Sequence, residues 1–312
     1  MSILSELRYP TRWYTKLLTV VMALLFFGLL ATTGVAGFLV YRIVKPQRTN
    51  SDINLQSFPG RPDAVQFSVL GKETREGYFF PGLRGAPTIV LCHGYGSSRD
   101  ELLTLVSALQ DHQYNVFLFD FAAHGHNGGM TSFGYREADE LGAAIDALAA
   151  RNDVNPHSVG VWGYNLGAYA ALREAERDPR IRALVLDSVY DRPDQMVKIG
   201  VERTGLAGFP WMVRSAEFSF EMLNLPYRNL PALSTRLNSL TGVPTLFIQA
   251  SDDPELANIT HEMFLKAPEP REQAIIGKGN FVGMSDDDKR SYENRVVTFF
   301  LAHLPATGHV VR

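Results

Sequence analysis

Cysteine is almost absent from this 312-residue chain: Cys92 stands alone. One thiol excludes an internal disulfide and a thiolate-built metal site. Its place in the apolar run TIVLC (88–92) reads as a buried structural thiol. An excess of charge of one sign is missing too, since 30 Lys and Arg stand against 33 Asp and Glu for a formal net charge of −3. No basic run breaks that balance, so there is no field to recruit a nucleic acid, and that class of partner is excluded. Internal repeats, low-complexity tracts and spaced sets of metal ligands are also missing, and neither a cofactor nor a metal is expected. What remains is an ordinary folding composition, 46% hydrophobic and 20% charged, at a length that suits one large α/β domain or two small ones.

One long hydrophobic run is present. From Leu17 to Tyr41 no residue is charged, and Arg8, Arg12 and Lys16 precede the run while Arg42, Lys45 and Arg48 follow it. As a helix it would span about 38 Å, enough to cross a hydrocarbon core of about 30 Å with some tilt. A transmembrane anchor is therefore expected over 17–44, behind a short segment, 1–16. Gly34-Val35-Ala36 would also pass as a signal-peptide cleavage site, but the apolar region is longer than such peptides use, which favours retention. Equal basic flanks give no asymmetry to set the orientation. Gly28, Thr32 and Ala36 recur every four residues, with Thr33 and Gly37 on the adjacent stripe. Small residues at that spacing let helix backbones approach, so a transmembrane protein partner is a second expectation beside the bilayer itself.

Residues 45–62 are polar, with Pro and Gly, and read as a linker. The domain expected over 63–304 alternates strand and helix patterns, and a short tail, 305–312, follows it. Two strands, AVQFSVL (64–70) and TREGYFF (74–80), look like an antiparallel hairpin joined at Gly71. Apolar strands then fall at 88–92, 115–120, 158–162, 181–187, 244–250 and 272–277, with helices near 99–111, 134–151, 165–177, 255–267 and 286–303. Short β-branched runs between amphipathic helices argue a mainly parallel sheet covered on both faces, with reactive groups at the carboxyl ends of the strands. An insert over 189–243 carries Phe209, Pro210, Trp211, Phe218, Phe220 and Tyr227, and is long enough to form a helical cap.

The run VGVWGYNLGAYA (159–170) reads as strand, tight turn and helix, with the spacing Gly-x-nucleophile-x-Gly. Gly163 and Gly167 leave room for strand and helix to meet, and Asn165 is of a type that tolerates positive φ. Four further motifs occur in order. LCHGYGSS (91–98) follows one strand, FDFAAHGHNGG (119–129) follows the next, and IQASDDPE (248–255) and IIGKGNFVG (275–283) follow the last two. Together these resemble the α/β-hydrolase fold of the esterase, lipase and serine-aminopeptidase type over residues 64 to about 303. The resemblance implies an oxyanion hole from the backbone N–H groups of Tyr95 and Leu166. It implies a loop built on Asp120, His124 and Gly125, with Ala122, Ala123 and Asn127 where Arg, Gly and Ser are usual. It also implies a catalytic acid at Asp253, with Asp252 as the alternative, and puts Asn280 where the family has His.

Two of three triad positions are thus Asn. A carboxamide supplies neither the hydroxyl for an acyl intermediate nor a base that titrates near neutrality. Loss of either group in a serine protease costs about 10⁶ in turnover, about 8 kcal/mol of barrier. The expected function is therefore that of a membrane-anchored pseudoenzyme, a binding or scaffolding subunit in which Asn165, Asn280 and Asp253 form a hydrogen-bonded set. The alternative is an active ester or peptide hydrolase with a non-standard catalytic set. For that alternative His93, His124 and His126 lie in strand-end loops, each equally able to hold its loop, and Ser97, Ser98 and Ser188 offer hydroxyls without an elbow.

Overall fold

Runs of five to seven apolar, β-branched residues bury both faces only in the middle of a sheet, and three such runs form the centre of this protein. The computed structural model describes residues 12–48, 61–206, 208–279 and 281–306. By compactness the chain divides into two units. One gathers the N-terminal helix as far as Ile43 with Val197–Leu225; the other gathers Val44–Met196 with the chain from Pro226 onward.

The second unit contains an eight-stranded sheet. A hairpin opens it, β1 (Asp63–Val69) against β2 (Glu73–Phe80), antiparallel in the register Asp63 to Phe79. Leu70 and Gly71 turn the chain at φ of 49° and 66°. Then follow β3 (Thr88–Cys92), β4 (Asn115–Phe119), β5 (Val159–Tyr164), β6 (Ile181–Asp187), β7 (Thr245–Ala250) and β8 (Arg271–Ile276). The order across the sheet is β1-β2-β4-β3-β5-β6-β7-β8, parallel from β4 onward. Every residue of β3 and β4 is buried. Because β3 pairs with β4 on one side and β5 on the other, the chain reverses its direction of travel there. In open α/β sheets ligands bind at such a reversal, outside the carboxyl ends of the strands, here those of β3 and β5.

We label the helices in chain order: α1 (Trp13–Val44), α2 (Leu103–Gln110), α3 (Tyr135–Ala149), α4 (Leu166–Ala175), α5 (Pro193–Val201), α6 (Pro210–Leu223), α7 (Pro254–Lys266) and α8 (Asp286–His303). The helix expected from residue 99 begins as a 3-10 turn, Arg99–Leu102, before α2. One side of the core joins Ile89, Leu91, Leu118, Trp162, Val185 and Ile248 of the sheet to side chains of α2 and α8 such as Leu105, Leu109, Val296 and Phe300. Each such side chain contributes about 1.5–3 kcal/mol by leaving water. Trp162 also donates its indole N–H to the Tyr292 hydroxyl at 2.9 Å, which fixes α8 against β5.

Helix α1 is long and apolar enough to cross a membrane. Its Thr32 and Thr33 hydroxyls donate to the carbonyls of Gly28 and Leu29 at 2.7 and 2.9 Å, so they satisfy themselves without water. The small-residue stripe is not uniform: nothing lies within 4 Å of where a Gly28 Cβ would be, whereas Ala36 is fully buried. The interval 189–243 holds α5, a π-helical turn over Glu202–Leu206, α6 and short 3-10 turns. Its aromatics split between burial at Phe220, a stack of Tyr227 on Tyr135 at 5.4 Å, and exposure at Phe209, Trp211 and Phe218.

Candidate functional site

The site begins where β5 ends. Asn165 adopts φ 51° and ψ −105°, the residue after it starts α4, and its own N–H donates to the Asp187 carbonyl at 2.8 Å. The ψ lies outside the left-handed helical basin that Asn tolerates, so the side-chain type does not relieve this strain, worth about 1–3 kcal/mol. The two glycines are required by contact. A Cβ on Gly163 would sit 2.4 Å from the Gly167 carbonyl carbon, and one on Gly167 would sit 2.1 Å from the Cys92 oxygen. Strand β5, the start of α4 and the end of β3 therefore meet backbone to backbone, and Asn165 projects at their junction.

The Asn165 side chain is 5% exposed. Its amide N–H points at the Met196 sulfur at 3.8 Å, and its carbonyl oxygen has no partner among the described residues. Leu166 opens α4, where backbone N–H groups lack helical acceptors. Tyr95 lies in the turn after β3, whose last residue Cys92 pairs in register with Gly163. The two N–H groups expected to form an oxyanion hole thus come from adjacent strand ends.

The histidines are structural where they are buried. His93 donates from Nδ1 to the Gly94 carbonyl at 2.9 Å and accepts the Phe121 N–H on Nε2 at 3.0 Å, so both nitrogens are committed. Burial holds its pKa below the usual histidine value. His124 donates from Nδ1 to the Ala122 carbonyl at 2.8 Å, and burial together with the neighbouring His93 pushes its pKa down to about 4. Both rings are neutral near pH 7, and both hold the loop after β4. His126 is exposed, and among the described residues only its backbone N–H is tied, to Asp120 at 3.2 Å. Asp120 is a loop brace, accepting also from the Arg99 N–H at 2.8 Å. Ala123, where the resemblance puts glycine, has a glycine-like φ of 66°.

The two aspartates after β7 separate. Asp253 caps α7 by accepting the Leu256 N–H at 3.2 Å. Asp252 instead turns to the loop after β8, accepting the Gly279 N–H at 2.9 Å. Asn280, next in that loop, lies outside the described residues, so the expected hydrogen-bonded set with Asn165 and Asp253 has no described geometry at that member. Ser97 donates to the Glu101 carboxylate, while the buried Ser98 hydroxyl has no partner among the described residues.

One cluster is absent from the sequence reading. Asp187, the last residue of β6, is buried and accepts from the Tyr292 hydroxyl at 2.7 Å and the Ser188 hydroxyl at 2.9 Å. Burial pushes its carboxyl up to about 7, and the charge of Asp252 adds to the effect. Ser188 itself sits at φ 52°. A signal was available: a carboxylate closes the strand IRALVLD, which is apolar from Ala183 to Leu186, at its carboxyl end.

Comparison with known proteins agrees with this architecture. A family model described as alpha/beta hydrolase fold matches residues 87–221. The uncharacterized protein YfhR of Escherichia coli K12 is 24% identical over 255 residues, covering 79% of this chain and 83% of that protein. The uncharacterized protein Rv2307c of Mycobacterium tuberculosis is 26% identical, covering 71% of each chain. Among solved structures, the Pyrococcus furiosus esterase Pf2001 superposes with a TM-score of 0.65 at 22% identity, covering 84% of this chain and 99% of its own. At that identity the likeness shows the fold alone.

Proposed function

From an α/β-hydrolase fold whose nucleophile turn presents an amide, we propose that this chain is a single-pass membrane-anchored pseudoenzyme that serves as a binding or scaffolding subunit beside the membrane. Asn165 carries this reading. It occupies the strained turn, lacks a hydroxyl, and keeps a buried carbonyl oxygen without a partner among the described residues. An unmet buried acceptor costs about 1–3 kcal/mol, and a ligand that donates an N–H or O–H to it recovers that cost. Asp252, which faces the loop of Asn280, takes the acid position in this reading; Asp253 serves α7. The uncharged run of α1 is the retained anchor.

The test is a fluorophosphonate probe alongside ester, thioester and peptide substrates on the full chain. Silence of the wild type together with turnover in the Asn165→Ser, Asn280→His double variant supports the reading. Labelling of the wild type at any serine overturns it. A second reading, hydrolysis through a non-standard set, has one observation in its favour: Ser188 donates to the elevated Asp187 carboxyl from a strained backbone position at the same sheet edge. Loss of such labelling in Ser188→Ala would establish it.

A further inference from the structure

Helix α6 is apolar on both of its faces. Met212, Val213, Ala216 and Phe220 are buried on one side. Opposite them Trp211, Phe218 and Met222, spaced i, i+7 and i+11, are 49%, 57% and 36% exposed. Phe209 just before the helix and Leu223 and Leu225 at its end are 47%, 54% and 55% exposed and extend the apolar surface. Arg214, Glu217 and Glu221 lie between these two faces, so water is a poor solvent only for the exposed apolar one.

Its companion in the same compact unit is α1. The two ends of α1 differ. From Val20 to Ala31 every residue is exposed, whereas Ala36 and Val40 are fully buried. A Gly200 Cβ would stand 3.1 Å from the Ile43 side chain, which places the end of α1 against α5. With 32 residues, α1 is about 48 Å long, and counted from Leu17, after Lys16, a hydrocarbon core of about 30 Å ends near Ala36, so about the last eight residues extend past it. Ile43, which meets Gly200 within this unit, lies in the part that extends. An anchored α1 would therefore hold Val197–Leu225 near the headgroups, where Trp and amphipathic surfaces settle.

We propose that residues 209–225 form a second membrane contact, an apolar surface seated in the phospholipid interface next to the anchor. The inference rests on the anchor reading. The occupant is lipid because residues 209–225 belong to the same compact unit as a helix whose exposed residues are lipid-compatible. It is apolar rather than electrostatic in origin, since Val197–Leu225 contains three basic residues, Lys198, Arg203 and Arg214, and three acidic ones, Glu202, Glu217 and Glu221. Neutral phosphatidylcholine should serve as well as an anionic lipid.

The chain has three tryptophans, Trp13, Trp162 and Trp211, and Trp162 is sealed in the sheet core. The experiment reconstitutes full-length Trp13→Phe protein into phosphatidylcholine vesicles with and without brominated phosphatidylcholine. The Trp211 signal is its difference from Trp13→Phe, Trp211→Phe protein. Shallow bromines should reduce that signal about twofold or more, with little quenching by aqueous acrylamide, as expected for a face a few ångströms below the headgroups. Phe218→Trp in the doubly substituted background should behave alike. A Trp211 signal untouched by bromolipid overturns the proposal, whether acrylamide reaches it, which means open water, or not, which means a protein partner or a second copy. Carbonate extraction of the same vesicles separates the two readings. Retained protein with unquenched Trp211 refutes the contact alone, and extracted protein whose Trp211 was quenched before extraction refutes the anchor alone.

Discussion

Replacing Asp187 by Asn should make the protein's stability less sensitive to pH in a direction the structure dictates. Buried at the end of β6, the carboxyl is pushed from an ordinary 3.8 up to about 7, chiefly by loss of water, and its partners are the hydroxyls of Tyr292 and Ser188. The folded-state pKa lies above that of the unfolded chain, so this group's contribution is present in full below about pH 4 and is lost as the pH rises to about 7. Above that the ionised form costs about 4 kcal/mol relative to the unfolded chain, at 1.36 kcal/mol per unit. Between about pH 5 and about pH 8 the loss is about 2–3 kcal/mol. Asn keeps an acceptor for Tyr292 and can donate to Ser188, but never ionises. Thermal unfolding of the full chain in mild detergent should therefore show the variant gaining about 5–10 °C on the wild type between those pH values. Glu140, likewise pushed up to about 7 by burial and by Glu137, is present in both proteins and cancels in the difference. A pH-independent gap in Tm between variant and wild type would refute the argument.

Asn165→Gly should stabilise the protein by about 1 kcal/mol, because release of strain and of an unmet acceptor exceeds the added chain entropy; denaturant midpoints read it, and destabilisation would mean that the amide is already satisfied. Gly167→Ala should cost about 3 kcal/mol or more, since its Cβ would strike the Cys92 carbonyl at 2.1 Å and backbone cannot step aside; full expression of this variant at wild-type Tm would argue against the close packing of the elbow. Tyr292→Phe should cost about 1–3 kcal/mol by leaving both the Trp162 indole N–H and the Asp187 carboxyl short of a partner; the same thermal assay measures it, with the larger loss at higher pH.

The strand pattern was legible because parallel strands buried on both faces write themselves as short β-branched runs, and the expected positions of β3, β6 and β8 differ from the observed ones by a residue at most. The elbow was legible for a different reason: close backbone approach demands glycine at two spaced positions, and Gly163 and Gly167 stand there. What stayed hidden involves contacts between distant parts of the chain. Tyr292 reaches Asp187 across 105 residues, and periodicity alone cannot pair them. The roles of adjacent Asp252 and Asp253 turn on which carboxylate caps α7 and which faces the loop after β8, a choice set by the turn and not by spacing. The two-sided apolar character of α6 was also obscured, since apolar residues on both faces look like a core helix until exposure is known.

Strain and an unmet acceptor fall on one residue, Asn165, and neither is offset within the described chain. A turn serving only to pack β5 against α4 would be more stable with glycine there, which accepts the backbone geometry and carries no amide to bury. A turn serving triad chemistry would need a hydroxyl or thiol. The amide suits neither task, but it suits recognition: held rigidly by the elbow, its oxygen meets a donor without further loss of side-chain entropy, so most of the hydrogen bond's free energy appears as affinity. The same geometry that would aim a nucleophile aims an acceptor. On this argument a ligand of the site should carry an N–H or O–H directed at Asn165, and an ester, which has only acceptors at its reacting group, should be a poor one.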